Sequence, residues 1–209
     1  MSFDNESITS LRLKVKDRLS EKRYVHTLGV EKMARHLGSI LLPDRLNELS
    51  VAALLHDIAK ELSFEEHLAL LDSSDVKYTE EDILVKPALH SIAALPLIDR
   101  EFCEFATDEI RSSIANHTLG APGMSIFDEI IFISDYAEEG RTYRTCIEVR
   151  EDLLDKIKSE NSYEKNVHAL HNATLKSIHS TIESLQKRGD RINSRTLETK
   201  RYFKHITNI

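Results

Sequence analysis

Four histidines and two aspartates of this chain fall on apolar helical faces. His26 precedes Val30, Met33 and Leu37 by four, seven and eleven residues, so it faces inward with them. His56 and Asp57 end the stripe of Leu46, Leu49 and Ala53. His90 precedes Ala94 and Leu97, His117 closes the stripe of Ile110 and Ile114, and Asp135 follows Phe127 and Ile131. Burying ionised carboxylates is costly unless they are paired or bound to metal. The only basic residue on the same turns is Lys60. Divalent cations resolve this, because they take carboxylate and neutral imidazole ligands and supply the missing positive charge. Nitrogen and oxygen donors without thiolate favour Fe, Mn, Co or Zn over an iron–sulfur cluster or a Cys-rich zinc site. Any one of these histidines alone is more often a hydrogen-bonded core residue. Six such groups on inward faces are much harder to explain that way. His36, His67, His168, His171, His179 and His205 lie on mixed or polar faces and are expected at the surface. His168 and His171 have the spacing of a metal pair, but Val167 and Leu170 occupy the stripe of that helix.

The elements that would position these groups are helical. Ile8, Leu11, Val15 and Leu19 share a face, and Tyr163, Val167, Leu170, Thr174, Ile178, Ile182 and Leu185 form one long stripe. Ser63 with Glu66 matches a capping box, and Ser125 with Asp128 a looser one. Pro43 and Asp44 head another helix, and Gly120 and Gly140 read as stops. Hairpin signals are absent. The expected fold is an all-α bundle of about eight or nine helices around a buried metal site. One domain, 1–209, is expected, with a core over about 20–160 and C-terminal helices over about 161–206 packed on it. The polar stretch Asp72 to Lys86 reads as a long loop, and Pro96 as a kink or break. Asp190 to Thr196 should interrupt the long stripe before a last short helix.

Composition narrows the partners. The 209 residues carry 28 Lys and Arg against 35 Asp and Glu, a net charge of −7 with no basic block. That disfavours nucleic acid. Two cysteines, Cys103 and Cys146, imply no disulfide framework and suit a reducing compartment. The first residues lack the pattern of a signal peptide, and no apolar run approaches 18 residues. A cytoplasmic protein without a membrane partner is expected. A homodimer is left open.

The order His, His-Asp, His, His, Asp resembles the HD-domain metal-dependent phosphohydrolases. Arg23-Tyr24-Val25-His26-Thr27-Leu28-Gly29-Val30, Leu54-Leu55-His56-Asp57-Ile58-Ala59-Lys60 and Leu89-His90 are similar to the YqeK-type branch of bacterial symmetrical diadenosine tetraphosphate hydrolases. So are Asn116-His117-Thr118-Leu119-Gly120 with Met124, and Asp135-Tyr136 followed by Glu138 and Arg141. The resemblance covers nearly the whole chain and implies an HD-domain bundle with a buried two-metal site, the metal being iron. It implies one ion on His26, His56, Asp57 and Asp135, and a second on bridging Asp57 with His90 and His117. The implied reaction splits diadenosine tetraphosphate in the middle, giving two ADP. Glu139 stands where the family usually has Pro, and Leu119 where it commonly has Thr. Asn193-Ser194 and Lys200-Arg201 stand in place of His-Pro and Arg-Asn. These departures bear on substrate preference more than on chemistry. An HD phosphatase acting on nucleotides or other phosphoesters, or a nucleotide-binding regulatory module with a weak site, are the alternative functions.

Asp57, Lys60 and Arg141 are the catalytic candidates. Lys60 lies one turn beyond His56, where its ammonium can meet phosphate charge or sit at the surface. Arg141 follows Gly140 in a position suited to a bidentate phosphate contact, or to pairing with Glu138 or Glu139. Arg23, Lys60, Thr118, Gly120 and Arg141 are the substrate-binding candidates. Arg23 could instead pair with Glu21 on the helix surface. Thr118 offers a hydroxyl and Gly120 free backbone near a helix end. A small positive cleft on a negative body is expected.

Overall fold

The computed structural model describes residues 3–208, so both ends of the expected 1–209 span lie outside the described residues. Eleven α-helices and three short 3-10 turns are present among them, and no strand. α1 (Asn5–Arg18) buries Ile8, Leu11 and Val15. α2 (Glu21–Leu41) starts at Ser20, whose side chain accepts from the Arg23 amide. It buries Val30, Met33, Ala34, Leu37 and Leu41 against α3 (Leu46–Leu55). Gly38 permits that approach, because a side chain there would collide with Leu49.

α3 is buried on every side from Leu49 to Leu55, as is α8 (Ile126–Ala137) from Phe127 to Ser134. Helices buried all round belong at the centre of a domain. α6 (Leu89–Glu101) and α7 (Asp108–Asn116) pack beside them, with α4 (Phe64–Asp72) outside α6. α9 (Arg144–Lys156) and α10 (Tyr163–Arg188) cover α8, and α11 (Ser194–Ile206) packs on α10. One buried apolar cluster runs from Phe3 to Phe203. Each fully buried Leu or Ile in it contributes about 1.5–3 kcal/mol.

Several details depart from expectation. The stretch Asp72 to Lys86 contains a short helix, α5 (Glu80–Leu84), started by a complete Thr79–Asp82 capping box. The Ser194 amide and hydroxyl donate to Glu81, which ties α5 to the head of α11. The helix count therefore exceeds eight or nine. α6 runs unbroken through Pro96. The ring removes only one helical hydrogen bond, and buried Leu95, Leu97 and Ile98 hold the helix in place. Ser125 and Asp128 form a full capping box, not a loose one. α10 ends at Gly189 with φ +71, the left-handed conformation that favours glycine.

Candidate metal centre

Most of the singled-out His and Asp residues sit near helix ends. α3 stops at Leu55, and bonds from Ile58 N to Leu55 O and from Lys60 N to Asp57 O tighten the following turns. Adjacent His56 and Asp57 thereby reach the same interior. His117 similarly follows the last residue of α7, and His90 is the second residue of α6. His26 lies in α2, and Asp135 in the last turn of α8.

Three of the four imidazoles are oriented by their own chain turn. His56 Nδ1 donates to Ala53 O at 2.6 Å, His117 Nδ1 to Ile114 O at 2.6 Å, and His90 Nδ1 to Pro87 O at 2.9 Å. A carbonyl can only accept, so each ring carries its proton on Nδ1 when neutral and a lone pair on Nε2. The lone pairs converge on carboxylates in two triads. His26 and His56 meet Asp135, while His90 and His117 meet Asp57. His26 Nε2 lies 3.0 Å from Asp135 Oδ1, and His90 Nε2 lies 3.1 Å from Asp57 Oδ1 and 3.0 Å from His117 Nε2.

Asp57 faces both triads. Its Oδ1 points at His90 and His117, the latter at 3.6 Å. Its Oδ2 lies 3.4 Å from His56 Nε2 and 3.8 Å from His26 Nε2. His56 Nε2 and Asp57 Oδ1 are buried without a hydrogen-bond partner. Orphaned acceptors packed lone pair to lone pair are unfavourable unless a cation lies among them. The residues present therefore fit divalent metal ions, with Asp57 placed between two of them.

Electrostatics agree with ligation by carboxylates. Burial pushes Asp57 up, but His56, His117 and His90 outweigh it and hold the group well below the usual carboxylate range. Burial likewise raises Asp135, and His26 and Arg141 more than offset this. Burial draws the His90 imidazole down to about 4, which favours the neutral ring a metal requires. Burial also lowers His56, but the charges of Asp57 and Asp135 outweigh it and raise the group. A divalent cation competes with the proton they attract there.

Cationic and hydroxyl groups surround the triads. Arg23 Nη1 donates to Asp57 Oδ2 at 2.7 Å, not to Glu21. Arg141 donates from Nη2 to Asp135 Oδ1 at 2.5 Å and from Nε to the Asp135 carbonyl at 2.9 Å. Its partner is thus Asp135 rather than Glu138 or Glu139; Glu139 pairs with Lys32. Lys60 is mostly buried, its Nζ 3.2 Å from His90 Nε2, and burial lowers its pKa. The Thr118 hydroxyl lies 3.1 Å from His117 Nε2 and 3.3 Å from His90 Nε2.

Gly120 is a correction. Its backbone is not free, since its N–H donates to Asn116 O and its carbonyl accepts from Arg195 Nε at 2.6 Å. Its φ is +70, and a side chain there would stand 2.7 Å from Thr199 Cγ2. The glycine seats this loop on α11. His67 and His171 are also corrected. His67 is buried with Nε2 bonded to Ala59 O, and His171 is partly buried against Glu129. His36, His168, His179 and His205 are exposed as expected.

The sequence offered Glu138 as a motif residue and a partner for Arg141, but not as a neighbour of His26, whose Nδ1 lies 3.2 Å from its Oε1. The position of Glu138 three residues after Asp135 was the available signal. Sequence reasoning also overlooked Arg195, which donates to Ala115 O, Asn116 and Gly120 O and so ties α11 to the His117 loop. A cleft of about 630 Å³ beside the triads is lined by Arg23, Val25, His26, Glu138, Arg141 and Tyr143. Tyr143 is 74% exposed at its rim, and Val25 62%. A cleft of about 690 Å³ elsewhere, near Pro96 and Arg111, contains no imidazole, so ligand geometry rather than size locates the chemistry.

Residues 23–140 match the family model for the HD domain. A Bacillus subtilis protein named symmetrical bis(5'-nucleosyl)-tetraphosphatase is 32% identical over 65% of this chain and 72% of its own length. A Halalkalibacterium halodurans protein of the same name is 29% identical over 88% of this chain and 90% of its own. A solved Clostridium acetobutylicum structure, described as a predicted HD superfamily hydrolase involved in NAD metabolism, superposes with a TM-score of 0.80 at 27% identity. It covers 99% of this chain and 100% of that one.

Proposed function

This chain belongs to the HD-domain phosphohydrolase family, and on that premise we propose that it cleaves diadenosine tetraphosphate symmetrically into two ADP. The observation that carries the reading is Asp57, buried between two His triads with one oxygen toward each. We assign His26, His56 and Asp135 to one divalent ion and His90 and His117 to another, with Asp57 bridging. Iron is the proposed metal, with Mn, Co and Zn as alternatives. When bound, two such ions supply Lewis acidity toward phosphoryl oxygens and acidify water toward neutral pH.

The chain's own residues then bind and orient the substrate. The cleft beside His26 takes one nucleotide arm. Arg141 and Arg23, held by Asp135 and Asp57, keep donors free to meet phosphate oxygens. Lys60 and Thr118 serve the side of His90 and His117. Tyr143 offers a face on which a base can stack at the rim. With the ions bound, these groups would make a positive cleft on a body of net charge −7. No helix among the described residues is long and apolar enough to cross a membrane. We propose a cytoplasmic enzyme whose partner is a dinucleoside polyphosphate or nucleotide, and not nucleic acid.

The test is product identification. Protein purified without oxygen and loaded with Fe²⁺ should yield two ADP from diadenosine tetraphosphate on ion-exchange chromatography. AMP plus ATP would reject symmetrical cleavage. Cleavage of nucleoside monophosphates with diadenosine tetraphosphate left intact would favour the general phosphatase alternative.

A further inference from the structure

The four imidazoles of the centre are not held alike. His56, His90 and His117 each spend Nδ1 on a carbonyl three residues back in their own turn. Only His26 turns its Nδ1 to a carboxylate, Glu138 Oε1 at 3.2 Å, supplied 112 residues away. Glu138 is 4% exposed and caps the end of α8.

The surroundings are shaped to hold this carboxylate. The Gly140 N–H donates to Oε2. A Cβ on Gly140 would stand 2.9 Å from both oxygens. A Cβ on Gly29, one turn along α2 from His26, would collide with Oε2. Arg150 Nη1 donates to the Glu138 carbonyl at 2.7 Å and pins the main chain. Two glycines from separate elements thus leave room for one buried acid behind one ligand. Nothing in α2 itself requires glycine there, since Gly costs about 1 kcal/mol against Ala inside a helix.

We propose that Glu138 is a positioning residue for the ion at His26, His56 and Asp135. Its carboxylate accepts the Nδ1 proton of His26, which turns the Nε2 lone pair toward Asp135. It also gives this ion a charged outer partner, whereas the other imidazoles lean on neutral carbonyls. A carboxylate behind a ligating histidine raises the basicity of that ligand. The two ions are therefore unequal, and only one depends on Glu138. This rests on the metal-centre reading and not on the identity of the substrate.

The experiment titrates metal-free protein with Co²⁺, following binding by calorimetry and the visible spectrum. The wild type should bind two ions. Glu138→Gln should bind one with unchanged affinity and the other roughly 10- to 100-fold more weakly. Gly29→Ala keeps the charge, displaces it from His26 and favours the helix, so it should show the same single loss. If Glu138→Gln fails to fold, Gly29→Ala decides. Nitrogen NMR of metal-free wild type should show His26 protonated at Nδ1, with that preference lost in Glu138→Gln. Wild-type affinity for both ions in the folded variants would overturn the inference and leave the metal centre standing. A wild type that binds no Co²⁺ would overturn both.

Discussion

Glu129 and Asp135, six residues apart on α8, meet histidines in opposite ways. Asp135 joins the proposed metal centre, where His26 presents Nε2 to it and turns Nδ1 to Glu138. Glu129, fully buried, meets His171 Nδ1 at 2.9 Å and the Thr174 hydroxyl at 2.9 Å. At Glu129 one imidazole donates to one acid, and no second histidine joins. At Asp135 and Asp57, four imidazoles from four elements bring acceptors together, and although Arg141 and Arg23 each pair with one carboxylate, His56 Nε2 and Asp57 Oδ1 stay without a partner. A buried acid beside a histidine is therefore not by itself a metal site. What distinguishes one is convergence of acceptors whose remaining ring nitrogens are already committed.

The largest test of this contrast is Asp57→Ala. It should abolish hydrolysis and strip both ions, because Asp57 faces both triads. Two metals per chain with normal turnover would erase the distinction between the regions. Metal analysis and a product assay read this directly.

Arg141→Ala should keep both ions while catalytic efficiency toward diadenosine tetraphosphate falls by roughly 10- to 1,000-fold. Arg141→Lys should recover only part, since lysine lacks the planar fork. Unchanged efficiency with a lowered Tm would reduce Arg141 to a tether for Asp135.

On the Glu129 side, His171→Ala should bind both metals normally and keep its activity. It leaves a buried acid short of a partner, so stability should fall by about 1–3 kcal/mol, roughly 3–10 °C in Tm for a chain of this size. Loss of metal would mean that the two regions are one site. His168→Ala, at an exposed position, should change neither property.

The smallest effect concerns pH. Burial pushes Glu129 above its ordinary value of 4.5, with His171 only partly opposing. The stability contributed by its protonated form is full below pH 4.5 and is lost as pH rises through the raised value. Glu129→Gln should thus melt higher than wild type at neutral pH, with the gain vanishing below pH 4.5. A lower Tm at neutral pH would show that Glu129 and His171 act as a stabilising ion pair.

Legibility differed between the two regions for a physical reason. The six inward groups of the centre were readable because helical periodicity fixes how a side chain points relative to its own helix. Capping at Ser63 and Ser125 was readable because a cap needs only residues three apart. His171 was misplaced at the surface because the stripe of α10 passes beside it. Glu129, which covers it, comes from another helix. Gly120 was legible as a stop but not as a seat for α11, because Thr199 and Arg195 lie far along the chain.

The sequence by itself determined that the chain is helical, acidic overall and provided with His and Asp donors on apolar faces. These follow from composition and from spacings of three and four residues, which act within one turn. Only the tertiary structure decided that five elements bring those donors to one place. It also decided that each oxygen of Asp57 meets a different triad, and that Glu138 stands behind His26. Those facts depend on how helices cross, and crossing is set by many buried contacts acting together rather than by any local pattern.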